Sequence, residues 1–226
     1  MRLEIPEPLD ALFSVEAGSV ANFFGAAGTG KTNLCILLSL DCVRKGGKVI
    51  YIDTEGGFSA ERVKQLAGKN DIINILNSVV LMEPKTFEEQ GKAIRGLQKD
   101  KFDLIILDSA VALYRLEHSD SSKTELSEHN RELSRQLSVL SAISRDKKIP
   151  VVLTAHTYKN WDTAEDEIVG GGPLKYWSKS IIFLEKTGKT SERKATIIKH
   201  RSEPEGKSVK FMIVEEGIKP SGFKIF

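Results

Sequence analysis

The chain has 226 residues, of which 40% are hydrophobic and 28% charged, with a formal net charge of +2. These proportions fit a packed domain and exclude a disordered chain. No apolar run approaches the ~20 residues of a membrane-spanning helix and no signal peptide opens the chain, so the expectation is a cytoplasmic protein with no membrane partner.

Pro6 and Pro8 preclude a long helix in residues 1–17, which read as a short lead-in to one core domain spanning 1–226. An apolar run at 20–24 predicts a buried strand. Residues 33–43 are apolar at helical spacing and stop at Gly46 and Gly47. A second buried strand is predicted at 48–53 and a helix at 59–68 with Val63 and Leu66 facing inward. A short strand at 79–82 is stopped by Pro84. Thr86 and Glu89 have the spacing of a capping box that opens a helix carrying Ala93, Ile94 and Leu97. Residues 103–108 read as a strand of four apolar residues ending in an acid, and a polar loop is expected near 115–122. A second capping box, Ser122 and Glu125, opens a helix with Leu126, Leu133, Leu137, Leu140 and Ile143 on its apolar face. Residues 151–154 read as another buried strand and 157–173 as a long polar loop. Three alternating segments at 181–184, 195–199 and 209–214 then suggest an antiparallel meander. Strands alternating with helices, then hairpins, predict an α/β fold: a mostly parallel central sheet between helices with antiparallel strands at its C-terminal end.

Cys35 and Cys42 lie seven residues apart on one predicted helix, too far around it to bridge, and read as buried thiols in a reducing compartment. Charge is uneven. Residues 175–226 hold 12 Lys/Arg against 6 Asp/Glu, a net +6, set against −4 in the rest. Such a basic portion suits either nucleic acid or a solvated lysine-rich face.

The most specific motif is Gly25, Ala26, Ala27, Gly28, Thr29, Gly30, Lys31, Thr32, the G-x-x-x-x-G-K-[ST] phosphate loop, between a predicted strand and a predicted helix. There the backbone N–H groups of a glycine turn and a helix start cradle a polyphosphate. Lys31 is expected to reach the β- and γ-phosphate oxygens, with Asn33 beside it. Thr32 is expected to ligate Mg²⁺, so ATP and Mg²⁺ are the implied cofactors. Asp108, at the end of an apolar strand, has the place of an acid that supports that metal. Glu55 follows the strand at 48–53 and would overlook the phosphates, where a carboxylate can orient an attacking water.

Together, residues 25–32, 51–56, 107–110 with 113–115, 151–154 and 170–173 resemble the RecA/RadA recombinase family in order and spacing. The resemblance spans nearly the whole chain and implies a RecA-like P-loop NTPase core without a preceding helix-hairpin-helix domain. It implies a sheet in which the Thr154 strand lies between the phosphate-loop and Asp108 strands, Arg62 on the adenine, and a role beside the main recombinase or other repair proteins on single-stranded DNA. It also implies a γ-phosphate sensor at position 156, where these recombinases usually carry Gln and this chain has His156, which can also donate a hydrogen bond to phosphate. Lys199 and Arg201 resemble a segment that reaches a neighbouring subunit's ATP. The first DNA-loop position carries Arg115 and Lys123 with Glu117 and Asp120. The second carries Tyr158, Lys159 and Trp161 with Asp162, Glu165, Asp166 and Glu167, acids that repel phosphates. DNA contact is therefore expected through the basic C-terminal portion, including Lys175, Lys199 and Arg201. With no Phe-x-x-Ala linker ahead of the core, hydrolysis is expected to be slow and long filaments are not expected. An ATP-bound scaffold with negligible turnover and a KaiC-like regulatory ATPase remain open beside this assignment.

Overall fold

The computed structural model describes residues 3–68, 72–99, 101–118, 123–160 and 166–222. Runs of Val, Ile, Leu and Phe that would be buried on both faces form the middle of the sheet. They are β1 (Val20–Gly25), β2 (Val49–Asp53), β4 (Leu104–Asp108) and β5 (Val151–Ala155), and every residue in them is buried. With β3 (Val79–Met82), β6 (Thr157–Lys159), β7 (Asp166–Ile168), β8 (Ser180–Lys186), β9 (Glu192–Lys199), β10 (Ser208–Val214) and β11 (Gly217–Pro220) there are eleven strands among the described residues. Nine make one sheet, in the order β11-β10-β9-β8-β1-β5-β4-β2-β3. Pairing is parallel from β3 through β8 and antiparallel from β8 to β11. The expected place of the Thr154 strand holds: β5 lies between β1 and β4.

Two layers of helices cover the sheet. On one face α1 (Lys31–Arg44), α2 (Ala60–Ala67) and α3 (Ile72–Asn77) bury Leu34, Leu38, Val63, Leu66 and Ile75 against Phe23, Tyr51 and Ile106. On the other, α4 (Phe87–Gly96), α5 (Ala112–His118), α6 (Lys123–Lys147) and α7 (Gly171–Trp177) bury Phe87, Leu113, Leu133, Leu137 and Leu174 against Ile52, Leu107 and Leu153. Strand alternation sorts the residues: Phe23 faces the first layer and Phe24 the second. Cys35 and Cys42 are both buried and free.

The lead-in packs into the core: Leu3, Leu9, Leu12, Phe13 and Val15 are buried, and Leu3 bridges to Val15. Two expectations need correction. The segment near 115–122, expected as a polar loop, is helical through His118, because Leu113 and Tyr114 bury their side chains and pull the turn into α5. The segment 157–173, also expected as a loop, contains the β6–β7 hairpin and the start of α7. In that hairpin Tyr158 faces Glu167, and the Tyr158 hydroxyl donates to Glu167 Oε2 at 2.8 Å. Trp161, Asp162 and Glu165 lie outside the described residues, as do Asp120 and Ser122.

Candidate nucleotide-binding site

The parallel strands β1, β2, β4 and β5 all end at one edge of the sheet, and the loops that follow converge there. After β1 the chain turns through Gly28 (φ 75°) and Gly30 (φ 101°), values that a side chain disfavours, and enters α1 at Lys31. Gly25 is required for a second reason. A β-carbon there would stand 2.1 Å from the Leu184 carbonyl oxygen of the neighbouring strand, so only glycine fits the seam between β1 and β8. Thr29 is buried and donates its hydroxyl to Ala26 O at 2.9 Å, closing the loop on itself. The phosphate-loop residues thus form a cradle of the shape a polyphosphate needs, at a helix N-terminus.

Lys31 is buried, and its ammonium donates to Gly25 O at 2.8 Å and Ala26 O at 3.0 Å. Burial lowers its pKa, while Glu55 and Asp108 pull the other way. Asp108, at the end of β4, accepts from the Tyr51 hydroxyl at 2.8 Å and the Thr154 hydroxyl at 2.5 Å. Burial raises its pKa, and hydrogen bonds from Thr154, Thr32 and Tyr51 oppose the rise. Thr32 and Asp108 are thus within bonding reach of one another, as a shared magnesium shell requires. Among the described residues no group of three or more His, Cys, Asp or Glu side chains could hold a metal. A hard cation here would rely on Thr32, Asp108, water and phosphate oxygens, which suits Mg²⁺.

Glu55 is carried on a loop organised by a second carboxylate. Asp53, buried at the end of β2, accepts from the backbone N–H groups of Glu55, Gly56 and Gly57 through Oδ1 and of Phe58 through Oδ2, at 2.8–3.2 Å. Thr54 ties the same loop to β4, donating to Ser109 O at 2.9 Å and accepting from Ser109 N at 2.8 Å. The Asp108–Ser109 peptide is cis. Glu55 Oε1 lies 2.5 Å from His156 Nε2, and this bond is the main cause that holds the Glu55 carboxyl below the usual carboxylate range. His156 follows β5, and its carbonyl accepts from Val169 N at 2.9 Å.

A pocket of about 380 Å³ results, and Gly28, Lys31, Thr32, Glu55, Asp108 and His156 are all in its wall. Four stretches that the sequence puts far apart, the phosphate loop, Glu55, Asp108 and His156, thereby meet. A model of the family described as Rad51 matches residues 7–221. The chain belongs to the Rad51 family. It is 43% identical over 218 residues to a protein of Methanococcoides burtonii called "DNA repair and recombination protein RadB", covering 94% of this chain and 95% of that one. A protein of the same name from Methanobrevibacter smithii is 41% identical over 213 residues, covering 90% and 88%. A solved structure titled "Crystal structure of the RadB recombinase" superposes with a TM-score of 0.81 at 35% identity, covering 95% of this chain and 96% of that one.

Other predicted positions of this Rad51-family chain lie outside the pocket wall. Arg62 donates to Asn33 Oδ1 and Gln65 Oε1, each at 2.8 Å, and to the Glu215 and Val214 carbonyls at 2.8 and 3.1 Å. It binds α2 to the β10–β11 turn and steadies Asn33, which does line the pocket. Lys199 donates to the Lys175 and Ser178 carbonyls, both at 2.8 Å, and so caps the C-terminal end of α7. Arg201 is exposed after β9. Arg115 and Lys175 meet in a different cleft of about 590 Å³, with Tyr114, Tyr158 and Glu167. Lys123 is the first residue of α6. Sequence inspection missed Tyr51, Arg193 and Ile213. Tyr51 had a signal, since it stands two residues before Asp53 on a buried strand beside β4 and therefore presents a hydroxyl to a buried face. Arg193 and Ile213 had none, because their place depends on how the antiparallel strands fold back over the phosphate loop.

Proposed function

We propose that this protein binds ATP with Mg²⁺ at the phosphate loop, hydrolyses it slowly, and assists homologous recombination and DNA repair as a partner of a main recombinase on DNA. The observation that carries this is the convergence of Lys31, Thr32, Glu55, Asp108 and His156 on one pocket at the mouth of a glycine-bounded cradle. Membership of the Rad51 family and the similarity to proteins named for DNA repair and recombination support the biological half.

Each residue has a chemical role in this reading. The loop N–H groups and the Lys31 ammonium hold the phosphates, and the Thr32 hydroxyl and Asp108 hold the cation. Bound Mg²⁺ neutralises charge on the phosphate oxygens. Glu55, kept ionised by His156, orients the attacking water, and His156 reports the state of the terminal phosphate to Val169 and the β6–β7 hairpin through its backbone. In the larger cleft Arg115 and Lys175 offer charge and Tyr158 a stacking face to DNA. Glu167 there accepts from the Tyr158 hydroxyl at 2.8 Å and from Asn160 Nδ2 at 2.6 Å, bonds that tie its carboxylate to the hairpin and keep it ionised.

Lys31→Ala tests the reading. The variant is expected to keep its circular dichroism spectrum and lose ATP binding by isothermal titration. Native-like ATP affinity in that variant would place the nucleotide elsewhere and overturn the assignment.

A further inference from the structure

Two cations that the phosphate-loop motif does not include converge on it from the antiparallel half of the sheet. Lys186 ends β8, Arg193 is the second residue of β9, and the two are directly opposed in the register of these strands. Like charges directly opposite one another across a strand pair destabilise it. Arg193 Nε donates to Gly28 O at 3.0 Å and Nη1 to Glu192 O at 2.9 Å, and the side chain lines the same pocket as Lys31, Thr32 and Asp108. A β-carbon on Gly28 would stand 3.2 Å from Lys186 Nζ, so this ammonium also lies against the loop. It is close enough to Lys31 to repel it, and so helps depress that lysine's pKa.

The nearby acids are committed elsewhere. Glu185 pairs with Lys194 at 3.0 Å. Glu192 accepts from Thr187 at 2.8 Å and from Ser221, with Lys189 at 4.0 Å. Among the described residues neither Lys186 nor Arg193 has a carboxylate at ion-pair distance. Two bonds to backbone carbonyls fix the guanidinium plane, and its remaining N–H donors are left for another acceptor. An unpaired, mutually repelling pair of cations, one of them locked in orientation at the wall of a phosphate pocket, has the composition of an anion clamp. An anion held there turns the repulsion into two attractions.

We propose that Lys186 and Arg193 form a cationic clamp, supplied by this same chain, for the phosphate tail of the bound nucleotide. The inference rests on the reading that the pocket binds ATP. It gives the phosphate loop two positive groups besides Lys31 without a neighbouring subunit, Arg193 in the pocket wall and Lys186 against Gly28. Lys199, spent on the end of α7, and Arg201 do not line the pocket.

The test measures ATP and ADP affinity by titration, and the melting temperature with and without Mg-ATP, for the full chain and for Lys31→Ala, Lys186→Ala, Arg193→Lys and Arg193→Ala. Arg193→Ala is expected to weaken ATP about tenfold or more, the size of a lost charge-assisted hydrogen bond. Arg193→Lys should fall between it and the native chain, because charge survives and the planar fork does not. Lys186→Ala leaves the Arg193–Gly28 bond in place and separates ligand binding from loop support. Its melting temperature without nucleotide should be unchanged or higher, while its ATP affinity and ATP-induced shift both fall. Native-like ATP affinity in Lys186→Ala and Arg193→Ala, with binding lost in Lys31→Ala, would overturn the clamp and leave the nucleotide site standing. So would earlier melting without nucleotide combined with a native ATP-induced shift, which assigns a purely structural role. A native chain that binds no ATP would remove the underlying reading and the clamp with it.

Discussion

Glu55 and His156 are separated by 101 residues and joined by one short hydrogen bond. Its consequence for pH follows from linkage. The ordinary Glu pKa is near 4.5, and in the folded chain it is lower, first because of His156 and further because of Ser109 and Lys31. The unfolded chain therefore takes up the proton at higher pH than the folded one. The stabilisation is fully present above pH ~4.5 and disappears as pH falls through the lower folded value. His156→Ala should move the acid edge of the stability profile to higher pH, as read by denaturant titrations between pH ~3 and ~6. An unchanged edge would mean that the bond does not persist in solution. Residues of this kind mark the limit of sequence legibility. The loop from Gly25 to Thr32 announces itself because its parts are contiguous, and Asp108 because it ends an apolar strand. The hydroxyls that hold Asp108 come from Tyr51 and Thr154, 57 and 46 positions away, and only strand register brings them there.

Among the elements, α4 shows how a local signal can be right in kind and off by one atom group. The Thr86 hydroxyl accepts from Glu89 N at 3.1 Å as a capping box requires, but Glu89 Oε2 reaches back to Lys85 N at 2.7 Å and not to Thr86. The cap remains worth about 1 kcal/mol. Thr86→Ala should lower the unfolding free energy by about that amount in urea titrations, with no change in m-value. A loss near zero would show that water replaces the hydroxyl. The missed elements have a common cause. β6 and β7 have three residues each, too few for alternation to register, and α7 begins Gly171, Gly172, Pro173, a composition that reads as a turn. α7 is held as a helix by burial of Leu174 and by Lys199 at its end, both tertiary facts. By contrast, β1, β2, β4 and β5 were legible because a strand buried on both faces must be apolar throughout.

Across the whole molecule, the nine-stranded sheet divides the interior into two cores, and α1 runs along one of them with its first turn in the phosphate site and its body in the apolar layer. Cys35 sits one helical turn after Lys31, completely buried, and burial together with Asp108 pushes its thiol well above the usual range. Cys42, two turns further on, is pushed up to about 12, again mainly by burial. Neither sulfur can therefore react as a thiolate at neutral pH while the helix stays docked. Each becomes a covalent clock: a maleimide added to the folded chain will mark only molecules in which α1 has lifted away from the sheet. Labelling read by mass spectrometry should be negligible in buffer, complete in denaturant, and slower at Cys35 in the presence of Mg-ATP. Rapid modification of the folded chain would mean that the helix bearing the phosphate lysine breathes far more freely than its packing allows.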